Sequence, residues 1–286
     1  MSNTPSAPPG LGIFARTFVR PSLDAVFAAV ATHGLASVQF NLSCAGLASM
    51  PDSVPHGIVQ TVRAAAARHG IVLAALSGTY NMIHPDAEQR RIGAARLRRM
   101  IKAARPMGTD VVTLCTGTRD AQDQWRAHPD NARPEAWRDL RESLGEVLPA
   151  AERYDVVLAV EPEPANVVAD PRLARRLLDE IGSRHLRIVL DPANLIEATT
   201  AAAARRRVDE ALDLLGAEVV LAHAKDRDRA GAVQPPGRGV VDFPHFLRGL
   251  RRVGFAGHVI MHGFAEADVA AAAVHMRAAF AAAGAA

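Results

Sequence analysis

The chain has 286 residues, of which 49% are hydrophobic and 22% charged, with a formal net charge of +3; that is enough apolar material for one large domain with a substantial core. Aromatic residues make up only 5% and the arginines are scattered through helical segments, so no stacking platform for bases and no nucleic-acid footprint is built in. Cys44 and Cys115 stand far apart without C-x-x-C spacing, which excludes a disulfide scaffold and a zinc knuckle, and no apolar run is long enough to span a bilayer.

A reducing cytoplasm is the expected location. The opening "MSNTPSAPPG" lacks the basic segment and apolar run of a signal peptide. Residues 1–10 therefore read as a flexible tail ahead of a domain spanning 11–286. From there short β-branched runs alternate with longer Ala/Arg/Leu segments of helical period. The candidate strands are "LGIFA" at Leu11, "SVQFNL" at Ser37, "IVLAALSG" at Ile71, "VVTLCTG" at Val111, "VVLAVEP" at Val156, "RIVLDP" at Arg187, "VVLAHAKD" at Val219 and "HVIMHGF" at His258. Helices are expected over Pro21–His33, Val54–His69, Asp86–Pro106, Pro134–Tyr154, Pro171–Gly182 and Glu266–Phe280. Several open on Pro or Asp, as a helix N-terminus does. Eight such units in a chain of this length predict an α/β fold, a single (β/α)8 TIM barrel. A doubly wound sheet is disfavoured, because no G-x-G-x-x-G follows the first strand.

In a barrel of this kind chemistry sits where strands end. The fifth strand runs into "VEPEP", two acids each followed by proline, which favours an extended exit from the sheet. Glu161 ends that strand, Asp191 the sixth, His223 the seventh and His262 the eighth. Each alone has an ordinary reading as a turn-former, a loop acid or a packed imidazole. Together, four ligating side chains on four successive strands predict convergence on one metal ion at the barrel mouth.

The stretches "VVLAVEPEPANVV", "RIVLDPANL", "VVLAHAKD" and "GRGVVDFPHFLRGLRRVGFAGHVIMHG" resemble the sugar phosphate isomerase/epimerase superfamily, the xylose-isomerase-like TIM barrels. The resemblance covers nearly the whole chain after the tail. It implies a divalent ion held by Glu161, Asp191 and His223, and a fourth ligand on strand eight, where the family pattern has Glu and this chain has His262. The nearest following acid is Glu266. Two imidazoles with two carboxylates tilt the expected metal from Mg²⁺ toward Mn²⁺, Co²⁺, Zn²⁺ or Fe²⁺. The related endonuclease IV barrels carry Asp-x-x-His where this chain has Asp191 and Asn194, a poorer ligand, so a nuclease is not expected.

Lysine is used only twice, at Lys102 and Lys225, against thirty-one arginines. Lys225 lies two residues beyond His223, on the same strand face if the strand continues, and is a candidate catalytic ammonium; a loop lysine paired with Asp226 is the alternative. Lys102 reads as solvent-facing. The segments "SGTYNMIHPD" and "CTGTRDAQDQWRAHPDN" read as lid-like loops, with His84, Arg119, Trp125 and His128 as candidate substrate contacts beside Asn194 and Arg238.

The expected function is a divalent-metal-dependent carbohydrate isomerase or epimerase that abstracts a proton next to a carbonyl, with Glu161, His262 and Lys225 as catalytic groups. The alternatives are a lyase or dehydratase acting on a keto-sugar, and a non-catalytic sugar-binding barrel. The expected partner is a small carbohydrate or keto-acid, with no nucleic acid and no membrane; a homo-oligomer stays compatible with the sequence.

Overall fold

The alternation of elements closes on itself. The computed structural model describes residues 10–284. Its strands are β1 (Gly10–Phe14), β2 (Ser37–Phe40), β3 (Val72–Ser77), β4 (Val111–Leu114), β5 (Val157–Val160), β6 (Leu186–Leu190), β7 (Val219–Ala224) and β8 (His258–Met261), and they form a closed barrel. All neighbours pair in parallel, and β8 closes the ring between β7 and β1. The helices between them are α1 (Leu23–Thr32), α2 (His56–His69), α3 (Ala87–Met107), α4 (Pro134–Tyr154), α5 (Pro171–Ile181), α6 (Ala201–Leu215), α7 (Phe243–Arg252) and α8 (Val269–Gly284). This is a single (β/α)8 TIM barrel. Residues 1–9 of the expected tail lie outside the described residues, and Gly10 already belongs to β1.

Caps set the helix limits. Ser22 Oγ accepts the Ala25 N–H at 3.2 Å, so α1 starts at Leu23 rather than Pro21. Asp86 accepts the Glu88 N–H at 2.8 Å and precedes α3 instead of opening it. Asp170 accepts the Arg172 and Leu173 N–H groups, with Pro171 in the first helical turn of α5 as expected. A 3-10 turn over Glu266–Asp268 delays α8 to Val269.

Two apolar layers hold the barrel. The outer one packs helix residues such as Phe27, Leu97, Leu144, Leu177, Leu212 and Phe246 against the strands. The inner one is a small separate cluster that includes Ala75, Ala159, Val189, Leu221 and Ile260. Short side chains suit the narrow lumen of an eight-stranded barrel, which is filled rather than hollow. Between β7 and α7 the chain forms a small antiparallel ribbon, Asp226–Arg227 against Val233–Gln234. Among the described residues no helix is long and apolar enough to cross a membrane.

Candidate metal centre

Residues two apart along a strand point to the same side. Ala159, Val189, Leu221 and Ile260 belong to the inner cluster, and Glu161, Asp191, His223 and His262 each follow one of them by two positions. The sequence thus carries four polar groups along the barrel axis, stacked directly above the apolar filling. One donor atom from each lies within 4.8 Å of the others.

The contacts within this group are dense. Asp191 Oδ1 accepts the Ala193 N–H at 2.9 Å, while Oδ2 lies 3.0 Å from both His262 Nε2 and Lys225 Nζ. Lys225 Nζ also donates to Asn194 Oδ1 at 2.8 Å, and Asn194 Nδ2 donates to Glu161 Oε1 at 2.8 Å. Asn194 therefore spans the ammonium and the strand-five acid. Lys225 is only 7% exposed, and it does not pair with Asp226. The Asp226 carboxylate instead accepts four backbone N–H groups, from Arg227, Gly237, Gly239 and Val241, at 2.9–3.1 Å. At Gly239 a Cβ would strike the Arg227 carbonyl and Asp226 Oδ1, so glycine is required for that approach.

Charge follows from this packing. Burial alone would push the Asp191 carboxyl up, but Lys225 and the His262 hydrogen bond outweigh it and hold it below the usual carboxylate range. Burial likewise works against the Lys225 ammonium, and Asp191 and Glu161 more than restore it, leaving it above its ordinary value. The His262 imidazole is driven down to about 4 by burial and by His223 beside it, so it is neutral at pH 7.

A cation fits this donor set. His223 Nδ1 is buried and faces Glu161 Oε1 at 3.2 Å; a proton or a cation held between the two atoms satisfies both. Two carboxylates and two imidazoles together offer a mixed oxygen and nitrogen donor set. Protein dialysed against Mn²⁺, Co²⁺ or Zn²⁺ and then freed of excess ion is expected to retain about one ion per chain. Elemental analysis checks this, and a folded but metal-free chain would reject the centre.

The sequence pattern of the xylose isomerase-like TIM barrel family matches residues 27–280. The chain belongs to that family. Among solved structures of xylose isomerase-like barrels and their relatives, it is similar to 3-keto-D-glucoside 4-epimerase from E. coli, at 18% identity and a TM-score of 0.74, over 97% of this chain and 100% of that one. A D-tagatose 3-epimerase-like protein superposes at a TM-score of 0.77 and 16% identity, covering 96% of this chain and 98% of that one. A xylose isomerase-like barrel from Mycobacterium smegmatis in complex with magnesium gives 0.67 and 14%, over 92% and 88%. At these identities the likeness is one of fold. No match is found among curated proteins.

As in other xylose isomerase-like barrels, loops surround the mouth, and here they are tied down. Asn81 donates to the Asp120 carbonyl and accepts from the Thr118 N–H, and Asn131 joins Thr118, Arg119 and Ala165. The loops after β3 and β4 are thus laced together. Arg119 donates to the Ile83 carbonyl at 3.0 Å and pairs with Asp139 at 2.8 Å. His84 lies against the Ala121 carbonyl, His128 accepts the Asp130 N–H, and Arg238 pairs with Asp268 at 2.8 Å. Trp125 is 47% exposed. None of His84, Arg119, Trp125 and Arg238 hydrogen-bonds to the four central residues, and Asn194 is the candidate contact that does. Glu266 pairs with Arg20 and does not stand in for a fourth carboxylate.

Three residues at the centre escape a reading of strand ends. Phe14, at the end of β1, stacks on His262 with ring centres 4.7 Å apart and meets His223 edge-on at 5.3 Å. Glu163 is raised to about 7 by burial and by Glu161 beside it. Gln39, inside β2, turns its amide Oε1 to His223 Nε2 at 2.9 Å and accepts there. The signal for Gln39 was a lone amide in the otherwise apolar run "SVQFNL". A cavity of about 890 Å³ between α5 and α6 touches the centre only through Asn194.

Proposed function

We propose that this barrel is a divalent-metal-dependent isomerase or epimerase that moves a proton at the carbon next to a carbonyl of a sugar or keto-acid. Glu161, Asp191, His223 and His262 are the ligands in this reading. The observation that carries it is the convergence of those four donors within 4.8 Å at the mouth of a fold whose solved neighbours include sugar epimerases. A bound divalent ion would polarise the substrate carbonyl and acidify the neighbouring C–H.

The chain supplies the rest. Glu161, oriented by Asn194 at 2.8 Å, takes the proton and delivers it to the adjacent carbon in an isomerisation, whereas an epimerisation needs a second group to return it from the opposite face. Lys225, buried and charged, donates to the substrate oxygen on which negative charge develops. The Phe14 ring, flat against His262, fixes the plane of that imidazole and shields one side of the centre from water. The second reading is a lyase, in which the enediolate left by the same proton abstraction expels a β-leaving group; the acid for that step is a group other than His262, whose imidazole is neutral at pH 7.

The metal-loaded protein is to be incubated in D₂O with a panel of ketoses and keto-acids and followed by proton NMR. One C–H next to a carbonyl is expected to exchange in the true substrate, and Glu161→Gln should slow that exchange by about 10²–10⁴-fold. A lyase would instead release a product lacking its leaving group. A fully loaded protein that exchanges no panel member would reject proton abstraction.

A further inference from the structure

The mouth of the barrel opens above a polar rack that the proposed reaction does not use. Gln39 from β2 is 3% exposed, and its amide nitrogen lies 3.0 Å from Ser77 Oγ on β3 and 3.0 Å from Thr113 Oγ1 on β4. Three neighbouring strands thus clamp one amide inside the barrel. With both its N–H groups directed to the two hydroxyls, Oε1 is turned across the lumen to His223 Nε2 at 2.9 Å on β7.

We propose that Gln39 is a positioning residue for His223. A carbonyl oxygen facing Nε2 demands a proton there, which fixes the imidazole as the Nε2–H tautomer and leaves the Nδ1 lone pair free. That Nδ1 is the buried atom with no hydrogen-bond partner, and it faces Glu161. The opposite tautomer would set a proton on the nitrogen that must hold the ion. Ser77 and Thr113 fix the amide, the amide fixes the ring, and the ring presents its lone pair. The inference rests on the metal-centre reading above for its consequence, although the tautomer itself exists in the metal-free protein.

The sign of two substitutions separates positioning from packing. Gln39→Glu keeps an acceptor opposite Nε2 and strengthens it, so Co²⁺ and Zn²⁺ affinity should equal or exceed that of the parent. Gln39→Met keeps length and burial but removes the acceptor, so affinity should fall about 10- to 100-fold, the usual effect of losing a partner behind a ligand. A core amide that served packing alone would give the reverse order, since a buried carboxylate is the more disruptive change.

Isothermal titration with Co²⁺ and Zn²⁺ reads the affinities. Long-range ¹H–¹⁵N correlation of the histidine rings, with His223 assigned by its His223→Gln variant, reads the tautomer in metal-free protein. The expected result is a single Nε2–H form in the parent and in Gln39→Glu, and a mixture in Gln39→Met. If Gln39→Met unfolds, Thr113→Val loosens the same amide without touching His223 and should show the same mixture. Parental affinity and a pure Nε2–H ring in either variant would overturn the proposal, as would an Nδ1–H ring in the parent. A parent that binds no ion yet shows the Nε2–H form, lost in Gln39→Met, would reject the metal centre while upholding the role of Gln39.

Discussion

Asp191→Ala is expected to abolish ion binding and to cost about 3–5 kcal/mol of stability, the typical price of stranding one partner of a buried ion pair. The carboxylate is 1% exposed and is the anion nearest to the Lys225 ammonium, at 3.0 Å. Removing it leaves a buried cation with only the Asn194 carbonyl oxygen in contact. It also frees the Ala193 N–H that Oδ1 satisfies. Urea titration beside metal titration reads both effects. A second substitution, Lys225→Met, should restore much of the stability but none of the ion affinity, because the desolvated charge is gone while the ligand is still missing. His223→Ala should lose the ion with a smaller stability loss, since the Asp191–Lys225 pair stays intact. Parental stability in Asp191→Ala would show that the buried pair does not carry the weight assigned to it.

The second large effect concerns His262. His262→Gln is expected to lower turnover on the true substrate by about 10²–10⁴-fold, the span of general acid–base catalysis, whether the imidazole holds the ion or moves a proton. His262→Glu divides the two roles. A ligand replaced by a carboxylate keeps ion binding and shifts preference toward Mg²⁺, as an oxygen donor succeeds a nitrogen. The shift is the expected outcome, because the ring is neutral and held by Asp191 within the donor cluster. Competition titrations of Mg²⁺ against Co²⁺ measure it, and a His262→Ala protein with parental affinity and turnover would remove His262 from both roles.

How much of this the sequence discloses depends on where the physical signal lies. The strands announce themselves because a barrel strand is buried on both sides and reads as an unbroken β-branched run, as in "VVLAV" and "RIVL". The helix α6 is less visible: "AAAARRRVDEALDLL" begins with four alanines that give little amphipathic signal, and only its Thr200 cap, 3.3 Å from the Ala203 N–H, marks the start. Glu161, Asp191, His223 and His262 are legible because each ends an apolar run, and their shared spacing behind Ala159, Val189, Leu221 and Ile260 becomes evident once the lumen is known. The partners of Lys225 are legible only in three dimensions, for Asp191 and Asn194 lie more than thirty residues away. Arg119 shows the opposite case. A polar residue in a long loop invites a substrate role, and only the structure shows its pairing with Asp139 on α4.

The Asp226 carboxylate has a consequence for motion. It is fully buried, and it gathers the amides of Arg227, Gly237, Gly239 and Val241 onto two oxygens. The segment between them contributes little apolar burial of its own; Val233 is 43% exposed. Its order leans on the Asp226 carboxylate together with Asp228, which accepts the Ala230 and Ala232 N–H groups, and with the Arg238–Asp268 pair, so many of its contacts depend on a few side chains. The ribbon is expected to open as a small cooperative unit while the barrel beneath stays shut. Loop order and barrel order are then separate equilibria in one chain, and a protease sampling the first would report a different free energy from the melting of the second.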